Sequence, residues 1–313
     1  MTVYDKPVLT SLQHIELWQQ RGLQVPEIER ACHYLDVISY YRLSAYSIPF
    51  QRANPRHQYR DNTEFDDLID LYVFDRELRL LLLDAVERIE VALRASMTNV
   101  LAAHHGSHAY LDATIFDTRY NHGWLLTQIE NKCRDNKAEP FIDHYRRKYS
   151  DPVLPPIWMV LEVLTFKEVS LLFSNLRCKE DKQALSHFWA VPDALLRSWF
   201  RALSDLRNVC AHHSRVWNRE FGSRPQQPRK PLPGWPRLMP VVVEGVNGKQ
   251  TIEPNKRLYM LLVVTEYLLR RVNPESDWHK RLFALMQKHS KVSRAHMGMP
   301  DEWFLDPFWR RQK

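Results

Sequence analysis

From Thr63 to about Leu101 apolar side chains recur on more than one face of a helix, and Thr63 followed three residues later by Asp66 resembles a capping box. A helix that is apolar nearly all round must be enclosed by other helices, so this stretch dictates a helical bundle with itself at the centre. It nevertheless carries Asp75, Arg76, Glu77, Arg79, Glu87, Arg88, Glu90 and Arg94. Their spacing marks i to i+4 ion pairs, expected on a solvated or partner-facing strip.

A second helix packs directly against the first in this reading. With Asp193 as N-cap behind Pro192, the residues Leu195, Trp199, Ala202, Leu206, Val209, His213 and Val216 follow alternating steps of four and three. Leu196, Leu203, Cys210 and Trp217 lie beside them, so the pattern describes one buried stripe and makes His213 a hydrogen-bonded core histidine. At about 100° per residue, Arg207 and His212 fall on either side of the opposite face, roughly 140° apart. Asn208, Ala211 and Arg215 lie between them.

A guanidinium and an imidazole five residues apart can converge on one phosphate. Arginine brings a permanent charge in a planar fork, and histidine a proton that moves near neutral pH. With a group to take the 2′-hydroxyl proton and one to protonate the leaving 5′-oxygen, these suffice to cleave RNA without a metal. The spacing alone decides nothing, because an ordinary solvated face would look the same in a chain with 44 Lys+Arg and 14 His. A sharper alternative to plain ion pairs on the central helix is that Glu87 or Glu90 reaches Arg207 or His212 and holds it in position. Arg215 and Arg219 read as solvated or phosphate-facing. Tyr40-Tyr-Arg-Leu-Ser-Ala-Tyr46 sets three tyrosines around Arg42, either as an aromatic packing patch or as an RNA-stacking surface.

The stretch Arg207-Asn-Val-Cys-Ala-His-His213, followed by Ser-Arg-Val-Trp-Asn-Arg219, resembles the Arg-x4–6-His motif of HEPN nucleases, and specifically the Abi-like (AbiD/AbiF) abortive-infection proteins of bacteria. The resemblance covers almost the whole chain. It takes in Lys6-Pro7, Gly22-Leu23, Tyr40 to Tyr46, Leu71-Tyr-Val-Phe-Asp-Arg-Glu-Leu-Arg79, Glu87-Arg-Ile-Glu90, Trp158 through Glu162 to Phe166, and Met297-Gly-Met-Pro300 with Trp303. Lys167 departs from the pattern, where a small residue, usually glycine, is expected. The resemblance implies an all-α HEPN-like helical bundle, a homodimer, and metal-independent RNase activity in phage defence. It makes Arg207 and His212 the catalytic pair, with Asn208 as the polar residue after the arginine. Some HEPN proteins bind RNA without cutting it.

The composition agrees with a polyanionic partner. With 44 basic against 37 acidic residues the net charge is +7, and the basic residues are interleaved with aromatics, as in Tyr145-Arg-Arg-Lys-Tyr149 and Trp309-Arg-Arg311. Cys32, Cys133, Cys178 and Cys210 have no paired spacing, and Met1 to Lys6 lacks a signal-peptide layout, so a reducing cytoplasm is expected. The longest aliphatic run, Leu258 to Leu269, is broken by Glu266 and falls short of the about 20 residues that span a bilayer. No metal, cofactor or membrane is expected. His104-His-Gly-Ser-His108 has ligand-type residues but no acidic partner in sequence, and reads as a polar helix terminus.

Four segments follow: an N-terminal helical segment (1–62) packed on the core, the HEPN-like helical core (63–222), a Pro-rich connector with a small β-hairpin insertion (223–254), and C-terminal helices completing the bundle (255–313). Pro26 and Glu27 open a helix on Ile28, Ala31, Cys32, Leu35 and Ile38, and residues 51–62 read as a basic loop. Helices are expected near 123–148, 156–176, 180–190, 255–272 and 275–290. The hairpin pairs Val241-Val-Val with Thr251-Ile about a turn at Asn247-Gly248 and must pack on the bundle; the aromatic tail from Trp303 to Trp309 docks. The leading expectation is a dimeric HEPN endoribonuclease, toxic unless regulated. Its rivals are a HEPN module that binds a structured non-coding RNA without cutting it, and a protein-interaction bundle.

Overall fold

The long apolar stretch forms one unbroken helix, and the chain folds round it. The structure is a computed structural model that describes residues 7–55, 57–134, 139–245 and 248–310. Lys6, Asn247 of the expected hairpin turn and Arg311 lie outside the described residues, as do Met1 to Val3 and Tyr4-Asp5. In chain order the helices are α1 (Ser11–Gln20), α2 (Ile28–Ile38), α3 (Tyr40–Ser47), α4 (Phe65–His105), α5 (His122–Arg134), α6 (Pro140–Lys148), α7 (Ile157–Val163), α8 (Phe166–Ser174), α9 (Lys179–Trp189), α10 (Asp193–Ala211), α11 (Leu258–Val272) and α12 (Trp278–Lys288). Strands β1 (Val241–Gly245) and β2 (Gly248–Ile252) form the only sheet among the described residues. The fold is all-α with a small β-hairpin, as expected.

Helix α4 has 41 residues and is therefore about 60 Å long. It packs against α3, α7, α8, α9, α10, α11 and α12. Its cap is one residue later than the sequence suggests: Glu64 and Asp67 form the capping box, because the Thr63 hydroxyl donates to the Arg60 carbonyl instead. Helix α11 is the other enclosed element, buried at nearly every position from Leu258 to Leu269. Each leucine so enclosed contributes about 2 kcal/mol relative to exposure. Trp278 of α12 is fully buried against α4 and donates its indole N–H to the Leu81 carbonyl at 2.8 Å.

Helices α1 to α3 build a smaller core with the first turns of α4, through Ile15, Trp18, Leu35, Leu43, Phe65 and Leu68. Residues 123–148 contain two described helices, α5 and α6, the second with Pro140 at its first position. The expected helix at 156–176 is also two. Leu164 and Thr165 are extended and Thr165 caps α8 in a capping box with Glu168. Lys167 lies in the first turn of α8 without positive φ, so the position makes no demand for glycine.

The connector packs through Trp235, stacked on Trp199 of α10 at 5.1 Å, and the Gln226 carbonyl accepts from the Trp199 indole at 2.8 Å. In the hairpin Val241 pairs with Ile252 and Val243 with Gln250. Val243 and Ile252 are buried, and Ile252 lies against the turn at Gly298, whose φ is +73° and where an added Cβ would stand 3.2 Å from the Arg257 Cβ. The tail docks as expected: Trp303, Phe308 and Trp309 are buried, and Arg270 of α11 bonds the Phe308 carbonyl.

Two expectations about polar groups on α4 are corrected. Asp75 with Arg79, and Glu90 with Arg94, are i to i+4 ion pairs as read, but both pairs are buried, not solvated. They lie on the side of α4 that α10 and its neighbours cover. At the far end, His104 and His105 do have an acidic partner, supplied from elsewhere in the chain. Asp181 in the first turn of α9, fully buried, meets His104 Nδ1 at 2.6 Å and His105 Nε2 at 2.9 Å. A carboxylate at a helix N-terminus facing imidazoles at a helix C-terminus suits both macrodipoles. Asp181→Ala should therefore lower stability by about 1–2 kcal/mol. Urea unfolding would show it as an earlier midpoint than that of Lys179→Ala, at the exposed residue two before it.

Candidate functional site

Helix α10 ends at Ala211, five residues before the apolar pattern runs out. Asp193 is its first residue and not its cap, and pairs with Arg197 at 3.3 Å. At the other end the Ser214 N–H bonds back to Val209 O at 3.0 Å and the His213 N–H to Cys210 O at 3.0 Å. Those two bonds, with His213 at φ +56°, are a Schellman ending in which a histidine takes the place usual for glycine. The reading of His213 as a core residue is thereby corrected: the left-handed turn swings it out of the stripe and it is exposed. Val216 and Trp217 are buried nonetheless, because the chain doubles back across α4.

What holds this turn is Asp75. One carboxylate oxygen accepts from the Val216 N–H at 3.0 Å and the Trp217 N–H at 2.7 Å. The other accepts from the Tyr46 hydroxyl of α3 at 2.8 Å and from Arg79. Burial raises the Asp75 carboxyl above its ordinary range, against the downward pull of these donors. Burial, with Asp75 beside it, likewise pushes the Tyr46 phenol up. Helix α3 adds two clasps: Arg42 donates to the His213 carbonyl at 2.7 Å, and Arg215 donates to the Ala45 carbonyl with its guanidinium 5.9 Å over the Tyr46 ring. On the far side the Trp217 indole donates to Ser293 O at 2.9 Å, just before Met297-Gly-Met-Pro300.

A second buried carboxylate positions Arg207. Glu90 lies 3.7 Å from the Arg207 Nε and is also bonded to Arg94, which caps α7 through the carbonyls of Leu161 and Leu164, the latter at 2.8 Å. The expected link from α4 to Arg207 thus exists, through Glu90 and not Glu87. Arg207 keeps 43% of its side chain exposed while Glu90 keeps 11%, so the guanidinium is aimed from inside and open outside. The Asn208 amide oxygen accepts from Arg207 at 3.5 Å.

His212, the C-cap residue, is exposed, and no described group bonds its ring. It lines a groove of about 560 Å³ with Tyr41, Arg42, His213, Arg215 and Arg219 among the other walls. The structure therefore gathers four of the six candidate residues, His212, Arg42, Arg215 and Arg219, on one groove. Arg207 and Asn208 sit one turn earlier on α10, and among the described residues no bond joins Arg207 to His212. Arg42 and Arg215 each commit part of a guanidinium to backbone carbonyls, which fixes the groove walls. Arg219 is exposed with no described partner for its guanidinium.

Cys210, one residue pair before the histidines, is a packing group: burial pushes its thiol up to about 12. Among the described residues one group has metal-ligand geometry, His104 with His105 and Asp181. It lies some 15 residues beyond Glu90 on α4, about 22 Å along the axis, and is not part of this site. Tyr46, Asp75 and Arg94 are the residues that the sequence did not point to individually. For Asp75 and Arg94 a signal was there in polar groups at i, i+4 on a helix otherwise apolar all round; Tyr46, on α3, had none beyond the tyrosine run around Arg42.

Residues 33–218, more than half of the chain, match the family of Abi-like proteins. No curated protein and no solved structure matches. The matched span contains α3, α4, the Asp75 and Glu90 clusters and the end of α10, so it covers all of the candidate site but Arg219, which lies one residue beyond it.

Removing the Asp75 carboxylate strands Arg79 and two backbone N–H groups in the interior. Asp75→Ala should cost about 3–5 kcal/mol, and Tyr46→Phe, which removes one donor, about 1–2 kcal/mol. Denaturant unfolding would measure both. Amide exchange should further separate them, with Val216 and Trp217 N–H losing protection in the first variant and keeping it in the second.

Proposed function

Because the chain belongs to the Abi-like protein family, we propose that it acts in abortive-infection defence as a metal-independent HEPN endoribonuclease, working as a dimer. The observation that carries the reading is the contrast at the end of α10: an open imidazole stands on a cationic groove, and one turn away a guanidinium is aimed from behind by a buried glutamate. Buried partners that hold exposed polar groups in place are what a preorganised site requires.

In the proposed reaction the 2′-hydroxyl oxygen of RNA attacks the adjacent phosphorus and the bond to the 5′-oxygen breaks. One imidazole takes the 2′-hydroxyl proton and another returns a proton to the leaving oxygen, while Arg207 stabilises charge on the phosphorane. The products are a 2′,3′-cyclic phosphate and a 5′-hydroxyl. Two copies facing each other would supply His212 twice. His213, exposed beside it, is a second imidazole that could serve as the partner acid within one chain. The second reading is a module that holds RNA without cutting it, with Arg42, Arg215 and Arg219 of the same groove as its phosphate contacts.

Cleavage of total RNA and of a defined single strand in EDTA distinguishes these. Arg207→Ala and His212→Ala should each lower the rate about 100-fold or more, and Glu90→Gln about tenfold, since it loosens Arg207 without removing it. Loss in His213→Ala as deep as in His212→Ala would make His213 the second imidazole of the reaction. Tight, salt-sensitive RNA binding with no cyclic phosphate ends would leave the binding module as the function.

A further inference from the structure

Three tyrosines surround Arg42 in sequence, and the structure gives them three different fates. Tyr40 stacks on His14 of α1 at 3.8 Å, with the rings 6° from parallel. Tyr46 is buried and committed to Asp75. Tyr41 is 90% exposed and lines the groove that holds His212. A lone exposed aromatic is ordinary on a protein surface. Here, however, the ring belongs to an element pinned to the far wall of the groove by two bonds, Arg42 to His213 O and Arg215 to Ala45 O. Its position relative to His212 is therefore set by the fold, and Arg42, Arg215 and Arg219 line the same groove.

An open π-face held beside guanidinium groups is the chemistry of single-stranded nucleic-acid recognition, in which cations track the phosphates and a ring stacks on a base. In a duplex the bases are already stacked on one another and offer no free face. We propose that Tyr41 is the stacking platform for one unpaired nucleobase of the bound RNA, setting that nucleotide next to His212. The inference rests on the groove being an RNA site, and it deepens that reading by making an unpaired base, and not only phosphate, part of what is bound. Tyr41 is a positioning residue in this scheme.

The test measures binding by fluorescence anisotropy in a His212→Ala background, which keeps the RNA intact. The probes are an unstructured 12-nucleotide RNA and a strand of the same length made of abasic ribose phosphates. Tyr41→Ala should raise the Kd for the RNA about tenfold and leave the abasic strand within twofold, while Tyr41→Phe restores RNA binding. Because the side chain is exposed, thermal melts of all variants should coincide. Equal Kd values for Tyr41→Ala and the parent on the RNA, with binding still weakened by Arg219→Ala, would overturn the role of Tyr41 and leave the RNA groove standing. Absence of salt-dependent RNA binding by the parent would overturn both.

Discussion

A single fully buried carboxylate, Asp75, determines where the chain goes after α10. Its two oxygens take donors from three parts of the sequence, α3, α4 and the segment after α10. Without it, Val216 and Trp217 would lose the acceptor that both their buried N–H groups share. The price of burying a charge is several kcal/mol, which the network of donors offsets only when complete. Such a network is therefore a test of correct assembly. It closes only when α3, α4 and the returning strand of chain are all in register.

Glu90 plays the same part 15 residues, or about 22 Å, further along α4. Asp75 fixes the segment after α10 and Glu90 meets Arg207 within α10 itself, so the two carboxylates hold α4 and the end of α10 at both ends of the polar stretch. The arrangement separates rigid parts from reactive ones. Asp75, Arg79, Glu90 and Arg94 are inside, with Asp75 and Arg94 bonded to main chain; the imidazoles of His212 and His213, the outer part of Arg207, and Arg219 are outside, where a polyanion can reach them. This division connects the packing to the proposed chemistry, because the exposed groups need no reorganisation of the core to meet a phosphate.

Much of the fold was legible in sequence because its periodicities are long. Helix α4 and the body of α10 follow from apolar spacing, and the hairpin and the docking tail follow from turn residues and aromatics. The breaks were harder. Residues 156–176 split at Leu164-Thr165 by a capping box that the apolar pattern runs straight through, and α10 stops at Ala211 although Val216 and Trp217 keep its phase. In both places buried side chains continue while the backbone does something else, and apolar spacing reports the former only. The site was legible in its residue types, since His212, Arg42, Arg215 and Arg219 do line one groove. The burial of the supports was not, because Asp75 with Arg79 and Glu90 with Arg94 have the i to i+4 spacing of surface pairs, and Asp181 lies more than seventy residues from the histidines it meets.

The ending of α10 matters more to the site than its length. On a continued helix, His212 and Arg215 would lie on the outer face, His213 would be buried, and no chain would cross back to α3. Ending in a Schellman turn exposes two adjacent imidazoles and turns the His213 carbonyl towards Arg42. A non-glycine residue in the left-handed region costs roughly 1 kcal/mol, and glycine would remove that cost at the loss of an imidazole. The conformation is sustained instead by the bonds from Arg42 and Asp75 on either side of it. The strain at His213 and its supports at His213 O, Val216 N and Trp217 N lie within five residues of His212, so the wall of the candidate groove and the turn that carries the imidazoles are built from neighbouring bonds, and loosening either one loosens both.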